Sequence, residues 1–208
     1  MTSGLLLVGA SGLAREVLAA GITGVTGILD DDPALYETEI AGVPVVGSIA
    51  DAVMRDESLL VCIGPSASRR NVARRLSKFG VADDRFATYV ARSARIGATS
   101  DIGPGCILLD GVVVTADASI GRNVVVMPNS TITHDTVIED FATLAAGVAL
   151  GGWVRIGESA YIGMNASVRQ NVTVGAGATI GMGAVVLQDV PDGQTWVGVP
   201  ASARESTP

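Results

Sequence analysis

From Ile96 to Val186 an aliphatic residue recurs every six positions: Ile96, Ile102, Leu108, Val114, Ile120, Val126, Ile132, Ile138, Leu144, Leu150, Ile156, Ile162, Val168, Val174, Ile180 and Val186. Four residues after each marker stands a second, mostly small residue, as in Cys106, Ala118, Ser130, Thr136, Ala142 and Ala160. Glycine often follows the marker directly, as at Gly97, Gly121, Gly157 and Gly163. A helix repeats at 3.6 residues and a simple strand at 2, so neither alone produces a fixed period of six. A hexapeptide repeat reads as a parallel β-helix, whose stacked coils bury one continuous apolar column and whose open ends need covering. Residues 86–191 are assigned to it. A preceding unit, residues 1–85, is expected to cover the first coil. A tail, residues 192–208, with Pro200 and Pro208, is expected to cover the last.

The composition fits such a narrow solenoid. Hydrophobic residues make up 48% of the 208 but aromatics only 4%, because stacked coils leave little room for rings. The formal net charge is −7 and there is no Lys/Arg run, which argues against nucleic acid or an anionic membrane as partner. Cys62 and Cys106 sit in separate apolar segments and read as buried thiols in a reducing cytoplasm rather than a disulfide framework. The N-terminal apolar run lacks a basic n-region and carries Arg15 and Glu16, so no signal peptide is expected. Gln170 to Gln188 is uncharged but keeps the six-residue beat, and is assigned to the solenoid rather than to a membrane span.

Residues 1–85 have a different character. Leu5 to Val8, Val25 to Leu29 and Leu59 to Ile63 read as short apolar strands. Gly12 to Ala20 and Ser66 to Phe79 read as helices, with a short helix around Ile49 to Met54. The Ser66–Phe79 segment sets Arg69, Arg70, Arg74, Arg75 and Lys78 among Val72, Ala73 and Leu76, the pattern of an amphipathic helix. Strands alternating with helices argue an α/β unit with a parallel sheet.

His134 is the only histidine. The inward slots of its hexad fall to Ile132 and Thr136, so His134 points outward near a corner. A lone histidine is often no more than a solvated turn residue. Here it lies mid-solenoid, where flanks of coils can hold a ligand, and the neighbouring Asp135 can orient the ring and raise its basicity. If a coil holds 18 residues, Gly152 stacks beside His134 about 4.8 Å along the axis. A glycine there lets a ligand approach the backbone N–H, though Gly151-Gly152 could equally be a tight corner. In the first unit, Gly9-Ala10-Ser11-Gly12 follows a strand and opens a helix, an arrangement suited to a phosphate. Asp30 and Asp31 end the second strand, placed for ribose or base hydroxyls unless they are only a solvated turn. Gly64 follows the third clear strand and would line the same crevice.

The chain resembles the sugar acetyltransferases of the sialic-acid O-acetyltransferase and bacillosamine-pathway type. The resemblance rests on Gly9-Ala10-Ser11-Gly12, Leu29-Asp30-Asp31, Ile63-Gly64 and Asn129 to Asp135. It continues through Ile138 to Phe141, Gly152, Ile162-Gly163-Met164-Asn165, Ile180 to Val186 and Val197-Gly198-Val199-Pro200-Ala201. It implies a small α/β Rossmann-like N-terminal domain for a nucleotide-sugar, followed by an all-β left-handed parallel β-helix with three sides, in a homotrimer with active sites between subunits. Ninety-six residues of hexads then make about five coils. The resemblance further implies His134 as general base, Asp135 as the acid behind it, and the Gly152 amide facing the acetyl carbonyl. The backbones near Met164 and Met182 would line the pantetheine groove, and Ser11, Gly12, Asp30, Asp31 and Gly64 would contact the nucleotide-sugar. Three positions depart from the pattern. Leu13 stands where relatives often have a histidine near the sugar nucleotide, Thr143 where some have a second histidine at the acetyl group, and Ser202 where a lysine is usual, with Arg204 nearby.

The expected reaction is acetyl transfer from acetyl-CoA to the amino group of a UDP-linked amino-deoxysugar, by direct attack and with no metal. His134 takes the amine proton. The Gly152 N–H steadies the oxyanion, a contribution of roughly 3 kcal/mol in measured cases. O-acetylation of a sialic-acid-like sugar is the main alternative, and a non-catalytic sugar-nucleotide-binding trimer a second. A β-helix enzyme with a three-histidine zinc site within one subunit is excluded by the single histidine. A nicotinamide oxidoreductase would lack an evident catalytic set.

Overall fold

The computed structural model describes residues 4–204; Pro208 of the tail lies outside the described residues. The first unit opens with β1 (Leu5–Val8), α1 (Gly12–Ala19) and β2 (Val25–Leu29). It continues with β3 (Glu39–Ile40), β4 (Val43–Gly47), β5 (Ser58–Val61) and α2 (Ser66–Lys78). The sheet order is β3-β4-β2-β1-β5. Every pairing is parallel except β3 with β4. The strands and both long helices lie where the apolar runs put them; Ile49–Met54 is a 3-10 helix. β1 is central and flanked on both sides, and its Leu6, Leu7 and Val8 are wholly buried, as a strand covered on both faces requires.

The hexads form a parallel β-helix with three faces. Residues 18 apart pair directly, as in Val113 with Thr131 and Thr131 with Ala149. The first face runs from Arg95–Ile96 to Val185–Val186, and the second from Asp101–Ile102 to Thr173–Val174. The third runs from Tyr89–Val90 to Thr195–Val197, so the coil ladder starts before Ile96 and continues into the tail. There Ser202–Ala203 turns back antiparallel onto Trp196 and Val197. Inside runs a single column of markers and small residues. The polar members of that column are satisfied by the next coil: Ser130 Oγ donates to Ala145 O at 3.0 Å and Cys106 Sγ to Gly121 O at 3.0 Å. No helix among the described residues is long and apolar enough to cross a membrane.

The α/β unit does not sit on the open end of the first coil. It packs sideways on the third face, where outward residues Ile107 and Val125 join Leu7, Leu13, Ile28 and Leu60 in one buried cluster. Ile96 and Ile102 near the open end remain only partly buried. The reason lies in the outward row of that face. Ile107 and Val125 are consecutive apolar residues of that row, whereas on the other faces the outward Val113 stands between Arg95 and Thr131 and Val137 between Ser119 and Arg155, and apolar surface is covered where it occurs.

Arg69 joins the two parts and, although one of the basic residues of the amphipathic α2, is not solvated. It is 0% exposed. Its guanidinium donates to Ile63 O (2.8 Å) and Gly64 O (2.7 Å) at the end of the sheet. On the solenoid it donates to Asn123 O (2.9 Å), Phe141 O (2.8 Å), Ala142 O (3.1 Å) and Thr143 Oγ1 (2.8 Å). A buried charge needs this density of partners, here dipolar oxygens rather than a carboxylate. Burial pushes the Arg69 pKa down to about 10, so it stays charged at neutral pH. Arg69→Ala is expected to lower unfolding free energy by about 3 kcal/mol or more in urea titrations, because several carbonyls lose their donor at once. Arg69→Lys is expected to recover only part, lacking the planar fork; a loss under about 1 kcal/mol for alanine would contradict this account.

Candidate active site

His134 lies on the edge between the first and second faces, following the strand Thr131–Ile132 and preceding Val137–Ile138. Ile132 and Thr136 take the inward slots, both wholly buried, and His134 projects outward with its side chain 48% exposed. The corner turns through Asp135, whose φ is +57°, a conformation Asp and Asn tolerate better than most residues. That turn brings Asp135 Oδ2 to 2.8 Å from His134 Nδ1. An ionised carboxylate only accepts, so Nδ1 carries the proton and the lone pair of the neutral ring is at Nε2.

Gly152 stacks on the next coil. Trp153 N donates to His134 O at 3.1 Å and Asn171 N to Gly152 O at 2.9 Å, continuing the ladder down this edge. Gly152 is not among the residues with positive φ, so the need for glycine is space. A Cβ there would stand 2.5 Å from His134 Cε1 and 2.7 Å from Nε2. The imidazole itself therefore fills the gap that the glycine leaves. Gly152 is a buried residue whose N–H has no acceptor among the described residues. Nε2 thus lies against the residue whose amide is uncommitted, and base-assisted attack on a carbonyl can use both groups. The Trp153 ring completes the cluster, edge-on to His134 with centroids 4.6 Å apart and planes at 88°.

Met164 and Met182 share a different edge, between the third and first faces, and are 48% and 79% exposed. Gly163 permits their close stacking, since a Cβ there would lie 2.6 Å from Met182 N. A single chain separates this edge from His134 by the width of the first face.

The N-terminal candidates collect at the carboxyl ends of β1, β2 and β5. Ser11 Oγ donates to Cys62 O (2.7 Å) and accepts from Leu13 N (3.1 Å), capping α1. Asp30 accepts from Ala10 N (2.7 Å) and Asp32 N (2.9 Å), tying the glycine loop to the end of β2. Asp31 accepts from Ile49 N (3.1 Å) and pairs with Arg75. Gly12 is exposed, and Gly64 has open space where a side chain would stand.

The family model for bacterial transferase hexapeptide repeats, described with six repeats, matches residues 117–152 and 154–188. A histidine-to-alanine variant of GDP-perosamine N-acetyltransferase from Caulobacter crescentus, in complex with CoA and GDP-perosamine, is similar over 98% of this chain and 97% of its own. The identity is 30% and the TM-score 0.89. The acetyltransferase domain of PglB from Neisseria gonorrhoeae, with acetyl coenzyme A, shares 30% identity over 98% of this chain and 100% of its own, with a TM-score of 0.87. WeeI from Acinetobacter baumannii shares 29% identity over 96% and 99%, with a TM-score of 0.85. This chain belongs to the sugar N-acetyltransferases of the left-handed β-helix, hexapeptide-repeat class. No curated protein sequence matches it.

Two positions that the family resemblance marked out have other surroundings here. Leu13 is 6% exposed and packs with Leu7, Ile28, Ile107 and Val125, so its side chain faces the core and not the crevice. Thr143, expected at the acetyl group, is 4% exposed under α2. Its hydroxyl lies 2.8 Å from Ser66 Oγ and receives Arg69. It lies on the third face, away from the His134 edge. An aliphatic side chain suits the apolar surroundings of position 13, and the Thr143 hydroxyl offers Arg69 an acceptor. The cysteines offer no nucleophile: burial pushes the Cys106 thiol up to about 12 and the Cys62 thiol higher still. No cluster of three or more metal-ligating side chains occurs among the described residues.

Sequence reasoning gave no role to Trp153 or Arg69. A signal for Trp153 existed: the same corner position carries Asp117, Asp135 and Asn171 in neighbouring coils. Gly152→Ala is expected to displace the imidazole from Asp135 and lower kcat at least about tenfold while the melting temperature changes little. Undiminished turnover in that variant would show that the His134–Gly152 packing has no part in the reaction.

Proposed function

We propose that this protein transfers the acetyl group of acetyl-CoA to the amino group of a nucleotide-linked amino-deoxysugar, with His134 as general base. The observation that carries the reading is the cluster of His134, Asp135 and Gly152. Nδ1 is held by the carboxylate, Nε2 keeps its lone pair, and an unclaimed amide lies beside it. The sugar amine attacks the thioester carbonyl, forming the C–N bond. His134 Nε2 takes the amine proton, and the Gly152 N–H receives the developing oxyanion. Collapse breaks the C–S bond, and the imidazolium returns the proton to the departing CoA sulfur. The raised cysteine pKa values favour this direct transfer over an acyl-enzyme route.

The α/β unit would serve as the Rossmann-like nucleotide site, with the diphosphate at Gly12 and the α1 N-terminus and a ribose near Asp30 and Asp31. This arrangement calls for a homotrimer, because Met164 and Met182 lie on another edge than His134. A pantetheine groove between those edges needs a second copy. Two free buried cysteines fit a cytoplasmic setting. The nucleotide is read as UDP. A GDP-linked sugar is the second reading, favoured by the relative in complex with GDP-perosamine.

The test is thiol release from acetyl-CoA with a panel of UDP-, GDP- and dTDP-linked 4-amino-4,6-dideoxysugars. One acceptor is expected to turn over rapidly. His134→Ala is expected to lower its kcat by about 10²–10⁴ with acetyl-CoA binding nearly intact. Asp135→Asn is expected to fall between the two, since the ring loses its anionic partner. Turnover only with hydroxyl acceptors would establish O-acetylation instead. Sugar-nucleotide binding without acetyl-CoA binding would establish a non-catalytic trimer. Full activity in His134→Ala would remove the base assignment.

A further inference from the structure

Two aromatic residues occupy solenoid corners at positive φ, Phe141 (+60°) and Trp153 (+56°). Most other non-glycine corners of this kind are Asn or Asp: Asn123, Asn129, Asn165, Asn171, Asp117 and Asp135. A bulky side chain at positive φ is strained, so something must hold it there. Phe141 has an evident reason, being 9% exposed in the cluster shared with the α/β unit. Trp153 has no such cover. It is 55% exposed, and its ring contact is with His134. A strained corner that no core packing accounts for points to function.

The imidazole is fixed by Asp135 at Nδ1 and rests over Gly152, but glycine supplies no lateral wall. The indole supplies it, with the planes crossed at 88°, the edge-to-face arrangement aromatic pairs favour. The Trp153 N–H also donates to His134 O, so backbone and ring act on the same residue. We propose that Trp153 is a positioning residue for His134, its indole holding the imidazole in the orientation that keeps Nδ1 on Asp135 and leaves Nε2 for the acceptor. The inference rests on His134 acting as the base.

The test compares Trp153→Asn and Trp153→Phe with wild type and His134→Ala. Asparagine suits the corner, so Trp153→Asn is expected to melt at the same temperature or higher. Its kcat is expected to fall about ten- to a hundredfold with KM for acetyl-CoA unchanged. Phenylalanine keeps an aromatic edge contact and is expected to retain kcat within about threefold. A second readout needs no acceptor. His134 is the only histidine, so imidazole ¹⁵N resonances of the untagged protein report its tautomer alone. Wild type and Trp153→Phe are expected to show the Nδ1–H form, and Trp153→Asn a mixture. Full kcat with an unchanged tautomer in Trp153→Asn overturns the proposal. So does a lower melting temperature or an altered oligomeric state in that variant, which would make Trp153 a packing residue. Failure of phenylalanine to restore kcat overturns the ring contact. An inactive His134→Ala beside a fully active Trp153→Asn removes this inference alone, whereas an active His134→Ala removes the base assignment and this inference with it.

Discussion

The hydrogen-bond ladder between coils fixes everything else in this molecule. Apart from Thr195–Val197 at the end, each coil strand is only two residues long, far too short to persist alone, and those inside the stack pair with strands 18 residues away on either side. The column of aliphatic markers permits one register only, because a slip of one residue would turn it outward. With the register set, neighbours along an edge are predetermined. His134 falls over Gly152, Met164 over Met182, and Thr143 between Val125 and Tyr161. The site is precise because the scaffold is repetitive: rigid stacking holds the imidazole and the glycine amide without any loop having to close.

Corners are where this repetition is released. The chain turns through residues at positive φ, and small polar side chains bear that conformation with least strain. Where an aromatic stands instead, it marks a place where the solenoid meets something. Phe141 meets the α/β unit, and Trp153 meets the His134 imidazole. The glycines follow a related rule. At Gly163 the backbone of the next coil, and at Gly152 the histidine ring, take up the room a side chain would need.

The α/β unit depends on the ladder in another way. It uses the outward row of one face, apolar at Ile107 and Val125 and polar at Thr143, and anchors it with Arg69. The guanidinium reads carbonyls that the corner geometry leaves pointing out, at Asn123, Phe141 and Ala142. Because Arg69 also grips Ile63 and Gly64, the carboxyl edge of the sheet is held at a fixed place on the solenoid. The orientation of the crevice framed by Ser11, Asp30 and Gly64 is thereby set by a residue outside it.

Much of this was legible in the chain. A fixed period is a local property: each marker at Ile132, Ile138 and Leu144 declares its inward face within its own hexad. The period alone leaves the number of sides open; with the three sides that the family resemblance implies, His134 ranks beside Gly152 by arithmetic. The adjacency of Asp135 likewise needs no tertiary information. What the chain alone left open depends on contacts between segments distant in sequence. Arg69 reads as one more solvated cation until the solenoid carbonyls close around it. Leu13 and Thr143 read as site positions until burial removes them. The lateral seat of the α/β unit, in place of a cap on the first coil, follows from which face carries apolar outward residues. The role of glycine at 152 was ambiguous between a tight corner and a close approach. Only the folded structure shows the imidazole in that space, because periodicity gives the row a residue occupies and packing decides what fills the gap beside it.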